Sequence, residues 1–295
     1  MNIEEYFGIN NDNDLVTICV SGADSSKFLQ GQLSNDIEKL SDNNYQYSTF
    51  STNQGKVIAT MRIFKKNSCY IILTNSAVAE SVIEGLRKYI LMSKVDIKLE
   101  PSTCYGVLGD NIIDAKSLNF GGNAFNMTNI NDTYILDLGI IDYPSYLLVS
   151  FTEVVPDFLS VDIVNDLNIG KLIDLKNVFP RLNEVSQESF IPQVLNMEKH
   201  NAISYKKGCY TGQEIVARTH YLGKIKKKLF CCSCESAPNL NKTKIYNQDA
   251  EVVGELLAEN YLNLEKFYFL SIIKINDIND LMFIDDREIR IEESQ

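Results

Sequence analysis

The apolar positions of the chain have the spacing of β-strands over much of its first third, interrupted by two helical patterns. Six segments have strand-like spacing: residues 15–20, 45–52, 57–64, 69–74, 95–99 and 104–108. Helical spacing predicts a helix over residues 76–89 and another that Asp24 caps, with the apolar positions Phe28, Leu29, Leu33 and Ile37. Because residues 53–56 join two neighbouring strands as a turn, the pattern favours antiparallel α+β structure over repeated βαβ units.

The pattern is weaker between residues 110 and 185 and changes after residue 224. In the weaker part, residues 134–138 and 146–150 have strand-like spacing and residues 153–167 have helical spacing. After residue 224, short strand-like runs alternate with turn residues, and helical spacing is absent. This last part therefore predicts a β-barrel or sandwich of about 70 residues, an ordinary size for a small domain.

Composition and charge narrow the possible environments of the protein. The chain of 295 residues is 45% apolar and 23% charged, as in globular proteins. Its N-terminus lacks the basic and apolar regions of a secretory signal, and its apolar runs are too short to span a membrane. We therefore expect a soluble, cytoplasmic protein without membrane contact. A net charge of −11 leaves only a local basic patch as a means of binding nucleic acid.

The seven cysteines do not suggest a disulfide framework, because their number is odd and the chain is neither short nor secreted. Cys19, Cys69 and Cys104 lie in strand-like runs and are predicted to be core residues. Cys231-x-x-Cys234 has too few ligands for a zinc site, and its two thiols would lie on opposite faces of a strand. We therefore expect no metal site.

One cysteine lies in a different setting, the segment KKGCYTGQEIVART over residues 206–219. Lys206 and Lys207 precede Cys209, and a predicted helix begins at Thr211 or Gly212. Positive charge and the free N–H groups of a helix N-terminus both favour a thiolate. The hypothesis is a reactive, accessible thiolate, and the alternative is a buried structural cysteine in a glycine-containing turn.

Three segments resemble blocks of the YgfZ family. Residues 190–219 contain the family motif K-G-C-Y-T-G-Q-E, followed by an A-R pair. Residues 21–37 resemble the family's G-x-D-x-x-x-F-L-Q-G-Q block, and residues 51–64 resemble its second block. The blocks occur in the family's order, and the resemblance covers most of the chain apart from its middle.

The resemblance implies a fold. The family is similar to the T-protein of glycine cleavage, an aminomethyltransferase built as a ring of α+β units, ferredoxin-like or Greek-key, followed by a C-terminal β-barrel. By this resemblance, residues 1–223 should form two α+β subdomains, one of them discontinuous, and residues 224–295 should form the barrel.

The resemblance also implies a function. Family members support the assembly or repair of iron–sulfur clusters, including those of tRNA-modifying enzymes, and many bind tetrahydrofolate. The implied partners are iron–sulfur enzymes or assembly proteins. Carried over by position, Cys209 is the reactive residue and Lys207 is the lysine that stabilises it. Cofactor contacts are expected from Tyr210, Gln213, Glu214 and Arg218.

Some positions depart from the patterns of related proteins. Ala59 and Thr60 stand where T-proteins carry two aspartates, which argues against aminomethyl transfer. Lys176 stands where the family commonly has a carboxylate for the pterin, and a lysine offers only hydrogen-bond donors. The chain also has no tryptophan, which lines the cavity of some members. A folate-dependent aminomethyltransferase-like enzyme and a non-catalytic scaffold for tRNA or protein are the alternative functions.

A dense basic cluster follows the motif. It consists of Lys224, Lys226, Lys227 and Lys228, close after Arg218 and His220. Such a cluster can contact a phosphate backbone, as in tRNA, or the polyglutamate tail of a folate. The alternative is that these lysines protect an edge strand from pairing with other chains.

Overall fold

The structure is a computed structural model that describes residues 6–109, 125–139, 143–152 and 167–292. Its helices are α1 Ser25–Gln30, α2 Ser76–Arg87, α3 Ile169–Lys176 and α4 Gln213–Leu222. Its strands are β1 Gly8–Asn11, β2 Leu15–Ser21, β3 Tyr45–Ser51, β4 Val57–Lys66, β5 Cys69–Asn75, β6 Asp96–Glu100, β7 Thr103–Leu108, β8 Met127–Ile130, β9 Thr133–Asp137, β10 Ser145–Ser150, β11 Lys227–Cys234, β12 Lys244–Asn247, β13 Val252–Asn263, β14 Phe267–Lys274, β15 Met282–Ile284 and β16 Arg287–Ile291. The helix predicted over residues 153–167 lies almost wholly outside the described residues.

The first sheet is antiparallel and has the strand order β3-β4-β5-β2-β6. Its strands confirm the strand-like spacing of residues 15–20, 45–52, 57–64, 69–74 and 95–99. The predicted helix over residues 76–89 is also confirmed, because α2 buries Val78, Val82, Ile83 and Leu86 against this sheet. The Asn75 side chain accepts a hydrogen bond from Ala77 N at 2.9 Å and so caps α2.

The first predicted helix is shorter than its apolar spacing indicates. Helix α1 ends at Gln30, and Ser34 N then bonds to Thr49 O at 3.0 Å, while Leu33 forms a β-bridge with Phe50. Tertiary bonds to β3 therefore replace the further helical turns. The predicted cap is also wrong, because the Asp24 carboxylate accepts from Lys94 N at 2.7 Å and makes no side-chain cap bond to α1.

The second sheet combines β1 with the four strands β7, β8, β9 and β10. Its strand order is β1-β7-β10-β9-β8, so the first sheet is inserted between β1 and β7 in the sequence. Helix α3 packs on β7 and reaches β13. The domain limits at residues 1–223 and 224–295 stay a prediction.

The C-terminal strands close into a barrel, in the order β11-β14-β13-β12-β15-β16. The sequence predicted a β-barrel or a sandwich after residue 224, and the structure shows that it is a barrel. Its core includes Cys232 and Cys234, whereas Cys231 faces the large core shared by the two sheets. No helix within the described part of the chain is both long and apolar enough to cross a membrane.

A buried chain of charges joins the two sheets to the barrel. Arg181 Nη1 and Nη2 donate to the two carboxylate oxygens of Asp12 at 2.8 and 2.6 Å, and its Nε donates to Asp174 at 2.7 Å. Asp174 also accepts from Arg62 on β4. Asn260 on β13 exchanges two 2.7 Å hydrogen bonds with the main chain of Arg181. Burial alone would raise the pKa of Asp12, but the guanidinium outweighs that effect and holds it below its ordinary value.

Replacing Arg181 with methionine should lower the free energy of unfolding by about 3–5 kcal/mol, because Asp12 would keep a buried charge without its cation. Lys171→Met is the control, since Lys171 pairs at 3.0 Å with the partly exposed Asp14 and should contribute less than about 1 kcal/mol. Urea unfolding followed by circular dichroism measures both values. Equal, small losses in the two variants would contradict a structural role for the buried charges.

Candidate functional site

Cys209 is the exposed one of the seven free cysteines, and it lies just before the N-terminus of α4. It borders an open cavity of about 580 Å³. The other lining residues are Gly31, Asn53, Tyr210, Thr211, Gly212, Gln213, Glu214 and Ala217. In contrast, burial raises the pKa of Cys19, Cys104 and Cys231 to about 12 each. These three thiols stay protonated at neutral pH, whereas Cys209 is open to reagents and partners.

Hydrogen bonds fix the Cys209 segment to the end of α1. Thr211 N donates to Gly31 O at 3.2 Å, and Thr211 Oγ1 donates to Gln32 Oε1 at 2.9 Å. Gly31 and Gln32 belong to the F-L-Q-G-Q block that the sequence carries far upstream. The first and third family blocks are therefore adjacent in space.

Close packing fixes the start of α4 to the turn between β3 and β4. Gly212 has a φ of +81°, and a Cβ there would lie 2.5 Å from Thr52 O. Gly55 has a φ of +71°, and a Cβ there would lie 3.0 Å from the Cβ of Ile215. Neither position tolerates a larger residue without movement of the backbone. All three family blocks thus meet around Cys209.

Lys207 lies beneath the segment and is buried. Its ammonium donates to Leu33 O at 2.7 Å and to Asn35 O at 2.6 Å, and it lies 5.2 Å from the centre of the Tyr210 ring. Burial lowers the pKa of Lys207 to about 8, and Asp36 and Glu38 oppose that shift only in part. Two of its three N–H donors therefore hold the segment to main-chain carbonyls. Its stabilisation of a Cys209 thiolate stays a prediction.

The residues expected to contact a cofactor divide between the cavity and the surface. Tyr210, Gln213 and Glu214 line the Cys209 cavity, whereas Arg218 is exposed on α4 and is not among the residues that line it. The Tyr210 hydroxyl is buried and has no hydrogen-bond partner among the described residues. Burial raises the pKa of Tyr210, so the hydroxyl keeps its proton and can donate it.

Sequence reasoning missed a second cavity, of about 230 Å³, between the two sheets. Its lining residues are Tyr47, Phe125, Leu138, Gly139, Lys176, Asn177, Lys199 and His200. Burial lowers the pKa of His200 to about 4, and its Nε2 lies 3.3 Å from Val178 O, so the ring is neutral at pH 7. These residues come from distant parts of the chain, and Lys176 is the motif position among them, so no local sequence pattern indicates the cavity.

The structure defines Ala59 and Thr60, which occupy the positions where T-proteins carry two aspartates. Ala59 is buried, and Thr60 Oγ1 donates to Pro180 O at 2.6 Å. The neighbouring buried carboxylates, Asp12 and Asp174, are each bonded to arginine. None of these groups is free to act as a base.

Known proteins include clear relatives of this chain, although no family model matches it. The tRNA-modifying protein YgfZ of Hamiltonella defensa is 32% identical over 232 residues, which cover 74% of this chain and 67% of that protein. The YgfZ protein of Aliivibrio fischeri is 29% identical, with 77% and 71% covered. An uncharacterized protein of Haemophilus influenzae is 30% identical, with 88% and 86% covered.

A solved structure shares the fold. The aminomethyltransferase T of the glycine cleavage system from Bartonella henselae is similar with a TM-score of 0.72, over 97% of this chain and 85% of that chain. Its sequence identity is 9%, so the similarity concerns the fold alone. The expected T-protein-like α+β fold with a C-terminal β-barrel is therefore confirmed.

The buried ammonium of Lys207 should make stability depend on pH. Lys207 binds its proton less tightly in the folded chain, with a pKa of about 8, than when unfolded, with a pKa of about 10.4. Its unfavourable contribution is therefore complete below about pH 8 and disappears as the pH rises toward about 10.4.

Comparison with Lys207→Met isolates this effect, because other titrating groups cancel between the two proteins. From about pH 7 to about pH 10, the wild type should gain at most about 3 kcal/mol relative to the variant. Urea unfolding at several pH values measures the difference. A difference that does not change with pH would show that Lys207 has an ordinary pKa in the folded protein.

Proposed function

The chain belongs to the YgfZ family of tRNA-modifying proteins, and from this premise we propose that it assists the assembly or repair of iron–sulfur clusters through the thiol of Cys209. The observation that carries the proposal is the position of this thiol. It is exposed at a cavity where the three family blocks meet, in the segment that leads into α4 at Gln213. Its clients would be iron–sulfur enzymes, including those that modify tRNA, or assembly proteins.

The chemistry follows from the thiolate. A cysteine sulfur is a soft ligand for iron and a nucleophile toward sulfur, so it can hold part of a cluster during transfer. The backbone around Cys209 is open, since a Cβ placed on Gly208 would have no heavy atom within 4 Å. A protein-bound cluster can therefore approach the sulfur without rearrangement of this loop.

Aminomethyl transfer is the less favoured function. A transferase of the T-protein type uses an aspartate at the position of Ala59 or Thr60, and the Thr60 hydroxyl is bonded to a carbonyl. The buried charges of Asp12 and Asp174 are neutralised by arginines. A non-catalytic scaffold leaves the exposed cysteine without a role.

We propose in addition that the second cavity binds one end of tetrahydrofolate, which supplies one-carbon chemistry when it is bound. The rest of the ligand would extend out of the cavity, because its 230 Å³ is less than the roughly 300–1,000 Å³ that encloses a ligand of this size. Tyr47 and Phe125 offer aromatic walls for its rings, and Lys176 and Lys199 offer positive charge for its glutamate carboxylates. His200 is neutral there and can exchange hydrogen bonds with a ligand. Because Lys176 has only donors, it suits the glutamate end of the ligand rather than the N–H groups of the pterin.

Cys209→Ser should abolish the function while leaving the fold intact. In a strain that lacks the wild-type protein, this variant should fail to restore the activity of iron–sulfur enzymes, because serine is a poor ligand for iron and a poor nucleophile. Cys69→Ser is the matched control, since Cys69 is a partly exposed cysteine on β5. Enzyme activities at equal protein levels are the measurement. Full function with serine at position 209 would leave only the scaffold alternative, and formaldehyde-linked turnover of an aminomethyl donor would favour the transferase.

The folate proposal has a separate test. Isothermal titration with tetrahydrofolate should give a binding isotherm for the wild type. Lys176→Ala and Lys199→Ala should each weaken binding about tenfold or more, because each removes a charge-assisted hydrogen bond. Lys98→Ala on β6 is the control, since Lys98 is exposed and does not line the cavity. Absence of heat with the wild type would refute folate binding and leave the proposal for Cys209 unchanged.

A further inference from the structure

A basic surface lies at the C-terminal end of α4 and the start of the barrel, and of its six cations five are exposed and Lys274 is partly exposed. This basic surface consists of Arg218 on α4, Lys224 and Lys226 in the following loop, Lys227 and Lys228 on β11, and Lys274 on β14. Lys274 belongs to the group because it lies directly opposite Lys227 in the antiparallel pairing of β14 with its neighbour β11. Between Ile215 and Cys234 the sequence contains no carboxylate, although the whole chain carries a charge of −11.

The cations of the basic surface have no partners within the described residues. None of them forms an ion pair or a side-chain hydrogen bond there, whereas Lys171, Lys242 and Lys266 each pair with a carboxylate. The pairing of Lys227 with Lys274 is unfavourable, because like charges directly opposite each other destabilise a sheet. Local features that oppose folding are typical of functional surfaces. The arrangement therefore favours an anionic ligand.

Protection of an edge strand explains at most Lys227 and Lys228. Arg218, Lys224 and Lys226 precede β11, and Lys274 lies on β14, which has a neighbouring strand on each side. Strand β11 belongs to a closed barrel and pairs with β14 on one side. On its other side, Leu229 N donates to Val194 O at 2.9 Å, and Asn196 Nδ2 donates to Leu229 O at 2.6 Å. The edge is therefore covered by protein directly after the last lysine, Lys228.

Aromatic side chains adjoin the basic surface. Tyr221 is 65% exposed, and the ring of His220 stacks on Tyr205 with centroids 3.9 Å apart and an interplanar angle of 19°. Glu198 is the nearby carboxylate, and it accepts from both Tyr205 and His220 at 2.6 Å. Flat exposed rings beside cations bind unpaired bases by stacking while the cations hold the phosphates. A duplex offers phosphates but keeps its bases stacked inside.

We propose that the basic surface and Tyr221 bind a single-stranded segment of RNA. The ligand would lie across the C-terminal end of α4, with its phosphates on the lysines and a base on the Tyr221 ring. Cys209 lies before the other end of this ten-residue helix, about 15 Å away at 1.5 Å per residue. The inference therefore goes beyond the proposed function and does not require the Cys209 thiol.

Fluorescence anisotropy with a labelled single-stranded RNA of about 12 nucleotides, at about 50 and about 200 mM salt, tests the proposal. The wild type should bind the single strand more tightly than a duplex of the same sequence, and less tightly at the higher salt. Tyr221→Ala should weaken binding about tenfold, because it removes a stacking partner. The triple variant K226E, K227E and K228E should lose binding by at least about a hundredfold and should show a smaller salt dependence.

Three controls make the result specific. The triple variant K88E, K94E and K98E changes the net charge equally at exposed lysines of another region and should bind as the wild type does. Lys224→Glu changes a loop position outside β11. This single variant should weaken binding whether or not the triple variant K226E, K227E and K228E folds. Cys209→Ser should bind normally, which separates this proposal from the function of the thiol. Absent binding by the wild type, equal losses in both triple variants, or no effect of Tyr221→Ala would each overturn the proposal.

Discussion

The buried bonds of Arg181 are the constraint on which the rest of the structure depends. Its side chain neutralises Asp12 beside the second sheet and Asp174 on α3, and Asp174 in turn bonds Arg62 on β4 of the first sheet. Its main chain bonds Asn260 of the barrel. Buried charges are costly unless every partner is in place. The two sheets, α3 and the barrel must therefore assemble together, because each provides a partner that the others need.

The segment that carries the site follows Arg181 and contains little regular structure before α4. It is held to the first sheet by individual bonds: Glu188 N to Val57 O at 2.7 Å, Val57 N to Phe190 O at 2.8 Å, and Ser204 N to Ser34 O at 2.9 Å. A long irregular segment is typical of a functional loop on a rigid scaffold. The exposed residues Gly208 and Cys209 lie between two buried residues, Lys207 and Tyr210. The buried neighbours fix the backbone, and this fixed backbone presents the cysteine to solvent.

The sequence predicted the helices and strands whose formation depends mainly on the spacing of their own apolar residues. The strands of the first sheet and α2 have strong periodicity, and the structure has them close to the predicted bounds. The short strand-like runs after residue 224 were predicted as a group, and they form the barrel. Strand β1 was missed because its sequence, GINN, carries little apolar pattern and pairs only through the distant β7. Helix α1 was predicted too long because bonds from Ser34 to β3 cannot be read from helical spacing. The Cys209 motif was visible as a contiguous segment, whereas the second cavity and the contribution of Lys274 depend on residues that only the fold brings together.

Helix α4 gives the two proposed activities a common physical basis. Its N-terminus carries partial positive charge and lines the same cavity as Cys209, while its C-terminus carries partial negative charge and adjoins the cations. One dipole therefore favours anions at the end near the Cys209 cavity and cations at the basic surface. Gln193 Nε2 bonds Val216 O at 2.7 Å, and Gly55 packs on Ile215, so the helix is fixed near its middle. Because the helix is fixed, a ligand on the basic surface and a partner at Cys209 would have a constant separation, and both can be bound at once.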